Sequence, residues 1–325
     1  MATALASLMA MPMVSLAPHA TPIDEMTRLA AALGPSSPRL FVKRDDLLSF
    51  GCGGNKVRKI QTVVAEARAA GADSLITCGG VQSNHCRVTA AAGAALGMKV
   101  VLVVNGQAPS NPTANAKLDH LFGADVRHVG GRDERAPAME QAATDLRAAG
   151  LRPFIVPLGA STATGALGFA RGIAEVAASG IRPDVIVHST SSGGTQAGLI
   201  AGCALFGLAA RVAGVSADDS SASLSATVRE LLGAMADRLG ARPETIGAGR
   251  EIEVDDTQVG EGYGIPTPAS TEAMELAARR EGMLLDPVYT AKAMAGLIAG
   301  VRTGRFTSGQ TVLFWHTGGQ VGYFA

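Results

Sequence analysis

Along the chain, short apolar runs alternate with longer stretches in which apolar residues recur every three or four positions. Leu40–Lys43 opens the series as a short strand. Beyond the glycine cluster that follows it, Val57–Ala69 carries Ile60, Val63, Val64 and Ala67 at i, i+3, i+4 and i+7, the period of an amphipathic helix. From Asp73 the alternation is regular. Strands are predicted at Ser74–Cys78, Val100–Val104, Asp125–Val129 and Pro153–Val156. Helices are predicted at Asn84–Leu96, Thr113–Phe122 and Arg135–Ala149, ended by Gly97, Gly123 and Gly150. The turn-rich stretch Pro157–Gly165 marks a crossing between domains. Helices at Gly168–Ala178 and Gly194–Phe206 follow, with strands at Asp184–Ser189 and Arg211–Val215, two further helices and a last strand, Thr311–His316. All-apolar strands separated by helices signal parallel βαβ units with both faces covered. The expected fold class is therefore α/β: two domains of open, mostly parallel sheets with helices on both faces and a cleft between them.

Composition narrows the function. The 325 residues suffice for two domains and a sizeable core, and 47 % hydrophobic with 17 % charged residues is a globular balance. With 28 basic and 28 acidic residues there is no basic excess for nucleic acid, and aromatics at 4 % offer little for base stacking. The four cysteines, Cys52, Cys78, Cys86 and Cys203, fit neither a zinc ribbon nor a disulfide framework, so free thiols in a cytoplasmic protein are expected. Met1–Leu16 has no basic residue ahead of its apolar part and is broken by Pro12, which argues against a signal peptide. The longest apolar run, Ala197–Ala210, is short of the ~18 residues a membrane span needs.

Sites in open parallel sheets lie off the carboxyl ends of strands. Four glycine-bearing loops fall there: Ser49–Lys59, Gly79–His85, Ser191–Thr195 and His316–Gly319. In the first, Lys56 stands where a glycine-rich turn enters a helix. The N–H groups of a helix N-terminus disfavour an ammonium, and an amine there can form a Schiff base with an aldehyde. The alternative is an exposed lysine in an ordinary first turn. Ser191, Ser192, Gly193, Gly194 and Thr195 offer backbone N–H groups and hydroxyls for a phosphate. Without the lysine of a nucleotide loop they suit a terminal monoester better than ATP, and a plain helix cap is the alternative. Ser83 can likewise be a plain N-cap, and His85 and Cys86 packing residues. Asp45 and Asp46 resemble a metal or general-base pair, although a salt bridge with Lys43 or Arg44 accounts for them as well. Tyr263 and Tyr289, two of three tyrosines, lie in turn-like contexts rather than on periodic faces.

With these residues set out, the chain resembles the pyridoxal-phosphate family of D-cysteine desulfhydrases, L-cysteate sulfo-lyases and 1-aminocyclopropane-1-carboxylate deaminases. The resemblance runs from about Pro22 to the C-terminus. It is carried by Val42–Asp46, Gly53–Lys59, Gln82–His85, Ser192–Thr195, Gly262–Gly264 and Leu285–Thr290. It implies the two-domain tryptophan-synthase-β-like fold (fold type II), usually as a homodimer. A large cofactor-binding domain would take residues 1–52 and 162–325, and a small inserted one 53–161. It also implies pyridoxal 5'-phosphate as cofactor, a small amino acid as substrate, and no nucleic-acid or membrane partner. Lys56 would be the Schiff-base lysine and a base for the Cα proton. Lys59 and Ser191–Thr195 would hold the phosphate, Asn84 would meet the ring hydroxyl, and Thr290 the pyridine nitrogen. Ser83, Asn84, His85, Tyr263, Tyr289 and Thr317 would surround the substrate.

Position 290 bears on the reaction. The deaminases carry a glutamate there, which strengthens the electron sink that ring opening needs, and a leucine where this chain has Thr317. A threonine hydroxyl leaves a weaker sink, sufficient when a good leaving group departs from Cβ. The expected activity is β-elimination from a cysteine-like amino acid to pyruvate, ammonia and sulfide or sulfite. Ring-opening deamination is the alternative, a racemase or β-replacement synthase a further one, and a non-catalytic amino-acid or pyridoxal-phosphate binder the alternative from another class. Arg87 is a candidate sulfonate contact. Cys52 and Gln320–Val321 depart from the family pattern and bear on the pocket.

Overall fold

The computed structural model describes all 325 residues. The chain begins with α1 (Ala2–Ala10), β1 (Ile23–Glu25), α2 (Thr27–Leu33) and β2 (Arg39–Arg44). There follow α3 (Asn55–Ala69), β3 (Ser74–Gly80), α4 (Asn84–Leu96), β4 (Lys99–Asn105), α5 (Ala114–Leu121), β5 (Asp125–Val129), α6 (Arg135–Ala148) and β6 (Pro153–Ile155). Next come α7 (Ala163–Ala170), α8 (Gly172–Ala178), β7 (Val185–Thr190), α9 (Gly194–Leu205) and β8 (Arg211–Ser216). The chain ends with α10 (Ser221–Leu239), β9 (Glu253–Asp255), α11 (Pro268–Glu281), α12 (Thr290–Arg302) and β10 (Thr311–His316).

The strands form a six-stranded sheet, β1-β2-β10-β7-β8-β9, and a four-stranded one, β5-β4-β3-β6. Every pairing is parallel except that of β1 with β2. Side chains alternate across a strand, and β10 shows what that does. Leu313 and Trp315 enter the core under α7, α9 and α10, while Val312 and Phe314 enter the opposite core under α11 and α12. The smaller sheet is sandwiched in the same way. Leu75, Val100 and Leu102 pack with α3 and α4, and Ile76 and Val101 pack against Ala142, Ala143 and Leu146 of α6. No helix is long and apolar enough to cross a membrane.

Three predicted features change. The helix expected over Gly168–Ala178 is two, α7 and α8, meeting at Arg171, whose guanidinium binds the carbonyl oxygens of Leu8, Met9 and Met11. Three helices, not two, lie between β8 and β10. The three-residue strands β1 and β9 give no signal of their own, because each carries two acidic residues of low β propensity and pairs only along an edge.

Candidate active site

The ends of β2, β3, β7 and β10 open onto one pocket, lined by residues of both sheets. Its floor begins with an unusual turn. Gly51, Cys52, Gly53 and Gly54 all have positive φ, so the chain coils back tightly before α3. A Cβ on Gly53 would lie 2.6 Å from Asp46 O, and one on Gly54 2.9 Å from Thr317 O. Only glycine fits at either position. The turn is pinned by Gly54 N–H to Asp45 O at 2.8 Å and Asn55 N–H to Thr317 O at 3.0 Å. Cys52, the one non-glycine of the four, points out to solvent.

This delivers Lys56, the second residue of α3, to the pocket. Burial around its amine, reinforced by the charge of Arg87 and opposed by that of Asp286, brings its pKa down to about 8. Half-buried in the pocket wall, Lys56 is not an ordinary exposed first-turn lysine. The N-terminus of α9 meets that of α3: Asn55 Nδ2 donates to Thr195 Oγ1 at 2.9 Å. Ser191, Ser192, Gly193 and Thr195 line the pocket with Ser189 and Thr190, whose buried hydroxyls have no partner in the chain. Gly194 and Lys59 lie just beneath the wall. A Cβ on Gly194 would come 2.7 Å from Ser161 Oγ and 2.9 Å from Lys59 Nζ. Lys59 is buried, donates to Gly159 O and Ser161 Oγ, and loses basicity through desolvation and the neighbouring Lys56.

Opposite, Ser83, Asn84 and His85 present the start of α4. Ser83 is an N-cap, accepting from Cys86 N at 3.2 Å, and lines the pocket as well. Asn84 Oδ1 accepts from Arg87 Nη1 and Asn115 Nδ2, so the side chain is held from behind. His85 Nε2 meets Thr77 Oγ1 at 2.7 Å, and because that hydroxyl donates to Val156 O the ring nitrogen is the donor. Burial, with Lys56 and Lys59 nearby, lowers its pKa to about 3, and the imidazole is neutral. Tyr263 and Tyr289 close the pocket edge to face, ring centroids 5.8 Å apart and hydroxyls hydrogen-bonded. Desolvation first, then the neighbouring Tyr263, pushes the Tyr289 phenol well above its ordinary value, so it stays protonated.

Two assignments are corrected. Thr290 does not reach the pocket: it is fully buried, and its hydroxyl bonds Asp286, whose carboxylate also accepts the N–H groups of Val288, Tyr289 and Thr290. The N-terminus of α12 needs that cap, and Thr290 completes it. The threonine that does line the wall is Thr317. Arg87 likewise faces away, buried against Asn84, Asn115 and Gly53 O. Asp45 and Asp46 are ion-pair residues and not a metal pair. Asp46 binds Arg44 at 2.7 Å as anticipated, and Asp45 binds Arg58 at 2.7 Å.

The sequence reading missed Arg132, Arg135, Asp218 and Asp219, which all line the pocket. They follow β5 and β8, so applying the strand-end rule to those two strands as well would have found them. Arg132 reaches across the mouth to Asp218 at 2.9 Å, its guanidinium 5.2 Å from the Tyr263 ring. Lys292 was missed for a different reason. It sits on a buried helix face, yet its amine holds the Tyr263 loop by the carbonyls of Val259 and Gly262.

An amine-bearing floor between two helix N-termini, set in this pair of sheets, is the site of a fold type II pyridoxal-phosphate enzyme. The chain belongs to the family of pyridoxal-phosphate dependent enzymes, which it matches over residues 14–318. It is 37 % identical over 324 residues to the D-cysteine desulfhydrase of Salmonella choleraesuis (strain SC-B67), covering 97 % of this chain and 96 % of that one. A crystal structure of an ACC deaminase homologue superposes with a TM-score of 0.91 at 33 % identity, covering 99 % of this chain and 96 % of the other. Threonine deaminase isoform 2 from Solanum lycopersicum shares the fold, with a TM-score of 0.70 at 17 % identity over 97 % and 88 % of the two chains.

The residues present fit the family's cofactor. The unpartnered hydroxyls of Ser189 and Thr190 and the α9 N-terminus suit a phosphate, and the depressed Lys56 amine suits an aldehyde.

Proposed function

We propose that this protein is a pyridoxal-phosphate-dependent lyase that eliminates a sulfur substituent from Cβ of a small amino acid, yielding pyruvate and ammonia. The observation that carries the reading is the wall that follows β10. There Thr317 would be the neutral partner of the cofactor ring, and no free carboxylate competes with it, since Asp286 is taken up in capping α12. A neutral partner leaves a moderate electron sink, enough for loss of a good leaving group and too weak for ring opening. The identity to a D-cysteine desulfhydrase supports the same reaction class.

Ser189–Thr195, with Lys59 beneath, would hold the phosphate and Lys56 the aldehyde carbon. Pyridoxal phosphate bound there anchors the substrate amine and withdraws electrons from Cα. Lys56, its amine near neutrality, takes the Cα proton at Nζ. Ser83 and Asn84, at the α4 N-terminus, orient the substrate carboxylate. Tyr289, protonated and hydrogen-bonded to Tyr263, shields the reacting carbons from water and donates its proton toward the departing sulfur. His85 remains neutral and positions the turn that carries Ser83.

The same reading makes the protein a cytoplasmic homodimer, each chain divided into 1–52 with 162–325 and 53–161. The two separate sheets and the four unpaired cysteines accord with it. The test is keto-acid release from purified, cofactor-loaded protein given D-cysteine, L-cysteine, L-cysteate and 1-aminocyclopropane-1-carboxylate separately. Pyruvate from a sulfur amino acid is expected. 2-Oxobutyrate from the cyclopropane substrate alone would overturn the reading.

A further inference from the structure

Arg87 lies fully buried in the first turn of α4, behind the pocket wall and not on it. Its hydrogen bonds all go to neutral oxygens. Nη1 donates to Asn84 Oδ1 at 2.8 Å and to Asn115 Oδ1 at 2.7 Å, and Nη2 donates to Gly53 O at 2.9 Å. Asp119, whose charge would offset the guanidinium, is itself buried, and desolvation pushes its carboxyl up to about 8. At neutral pH it is largely protonated. A desolvated cation with neutral partners costs several kcal/mol, and an apolar side chain of similar length would fill the same space without that cost. The charge and the fork of donors therefore point to a task other than packing.

Two pocket elements depend on that fork. A guanidinium has donors and no acceptor, so the Asn84 amide can face it only with Oδ1. Asn115 Nδ2 donates to the same oxygen at 3.1 Å and to Gln82 O at 2.9 Å. Asn84 lines the pocket, and the group it has left to offer there is Nδ2, with two N–H donors. The second element is the Gly53–Gly54 peptide. Arg87 holds its carbonyl, and Asp45 O accepts its N–H at 2.8 Å. Both glycines have positive φ and no Cβ to restrict them, so these two bonds at opposite ends of one peptide fix its orientation. Lys56 follows two residues later. Its amine feels the charge of Arg87, which adds to desolvation in lowering its basicity.

We propose that Arg87 is a positioning residue of this site: one buried guanidinium holds the turn that delivers Lys56 and turns the Asn84 amide so that N–H donors, not a carbonyl, face the pocket. The inference rests on the roles of Lys56 and Asn84 in the proposed function, and not on which substituent leaves Cβ. It makes the α3 and α4 N-termini one unit, since a single side chain of α4 binds both the turn before α3 and the first residue of α4 itself. A donor at Asn84 favours an anionic oxygen in front of it, and a carbonyl there would repel one. The cation behind acts in the same sense on both elements, favouring a negative oxygen at Asn84 and an unprotonated nitrogen at Lys56.

The test reads the bound cofactor as well as turnover. In the holoenzyme, the absorbance of pyridoxal phosphate on Lys56 is titrated with pH for the parent, Arg87→Met and Arg87→Lys. Asp286, Lys59 and His85, which also interact with that amine, are left unchanged. Removing the cation should move the midpoint up by about one pH unit. Arg87→Lys, charged but without the fork, should restore most of that shift and little of the activity. For the best sulfur amino acid, kcat/KM should fall about tenfold or more in Arg87→Met and in Asn84→Ala, and the double variant should match Arg87→Met alone. Arg87→Gln, neutral but still a donor to Asn84 Oδ1, takes the place of Arg87→Met should that variant not fold. An unmoved midpoint in the neutral variant, or losses that multiply in the double variant, would overturn the proposal. If no sulfur amino acid turns over, the elimination reading falls, and the midpoint still decides the role of Arg87.

Discussion

The Thr290 hydroxyl donates to Asp286 Oδ1 at 2.7 Å and accepts from Asp286 N at 2.8 Å, inside a residue pair that solvent does not reach. The bond ties the α12 N-terminus to the loop that carries Tyr289. Thr290→Val keeps the shape and removes both hydrogen bonds. It should cost about 1–3 kcal/mol, read as a lower urea midpoint. The absorbance of the bound cofactor should stay where it is, because Thr290 is not on the pocket wall. A moved absorbance band would show that position 290 does reach the ring.

Lys56 sets a pH dependence. Its amine has a pKa of about 8, below the ordinary lysine value, because it is desolvated and feels the charge of Arg87 behind the wall. Only the unprotonated amine attacks an aldehyde. In cofactor-free protein the rate of pyridoxal-phosphate uptake should climb about tenfold per pH unit below this pKa and level off above it. Stopped-flow absorbance measures this directly. Lys56→Ala should abolish both the uptake signal and turnover. A rate still climbing at about pH 10 would mean that the amine is not depressed.

Gly194 is tested by adding one carbon. Its Cβ would meet Ser161 Oγ and Lys59 Nζ at less than 3 Å, and both atoms support the wall beneath the phosphate loop. Gly194→Ala should weaken pyridoxal-phosphate binding about tenfold or more, measured by equilibrium dialysis, with the fold retained. Gly233, on the open face of α10 with nothing near its Cβ position, is the control and should tolerate alanine.

How much of the site was legible follows from where its signals reside. The turn before Lys56 and the Ser191–Thr195 loop need glycine for steric reasons, and glycine clusters show in the letters. The alternation of Leu313 and Trp315 with Val312 and Phe314 is equally visible, so the parallel sheets could be read. Direction was harder. Arg87 and Thr290 lie one turn or less from true pocket residues, yet both turn inward, Arg87 to Asn115 and Gly53 O of distant segments and Thr290 to Asp286 four residues back. Arg132, in the loop after β5, and Arg135, the first residue of α6, belong to no motif, and only the packing of the two sheets brings them to the pocket. The partner of Asp45 was hidden in the same way, because Arg58 is thirteen residues on, and the second carboxylate that Arg58 binds, Glu175, lies in another helix.

That buried cluster yields the last prediction. Lys43, Arg58, Asp45 and Glu175 balance two positive against two negative charges, and Arg58 touches both carboxylates at 2.7 Å. Trp315 Nε1 and Thr21 Oγ1 complete the shell of Asp45 at 2.7 and 2.9 Å. Burial alone would raise the Asp45 carboxyl, but the charge and hydrogen bonds of Arg58 hold it below its ordinary value. Arg58→Met removes this counter-ion and leaves Asp45 buried without it, a loss of about 3–5 kcal/mol in urea unfolding at neutral pH. The pH sign distinguishes charge from packing. In the variant, the Asp45 pKa rises above its unfolded value, so the native state binds the proton more readily and gains stability as pH falls through that range. The deficit relative to the parent should therefore be larger at about pH 7 than at about pH 4.5. Equal deficits at the two pH values would mean that lost packing, and not an unpaired carboxylate, is what the cluster prevents. Because Arg58 is two residues from Lys56 and Trp315 two from Thr317, the same variant should also release pyridoxal phosphate faster, read by dilution of the loaded protein.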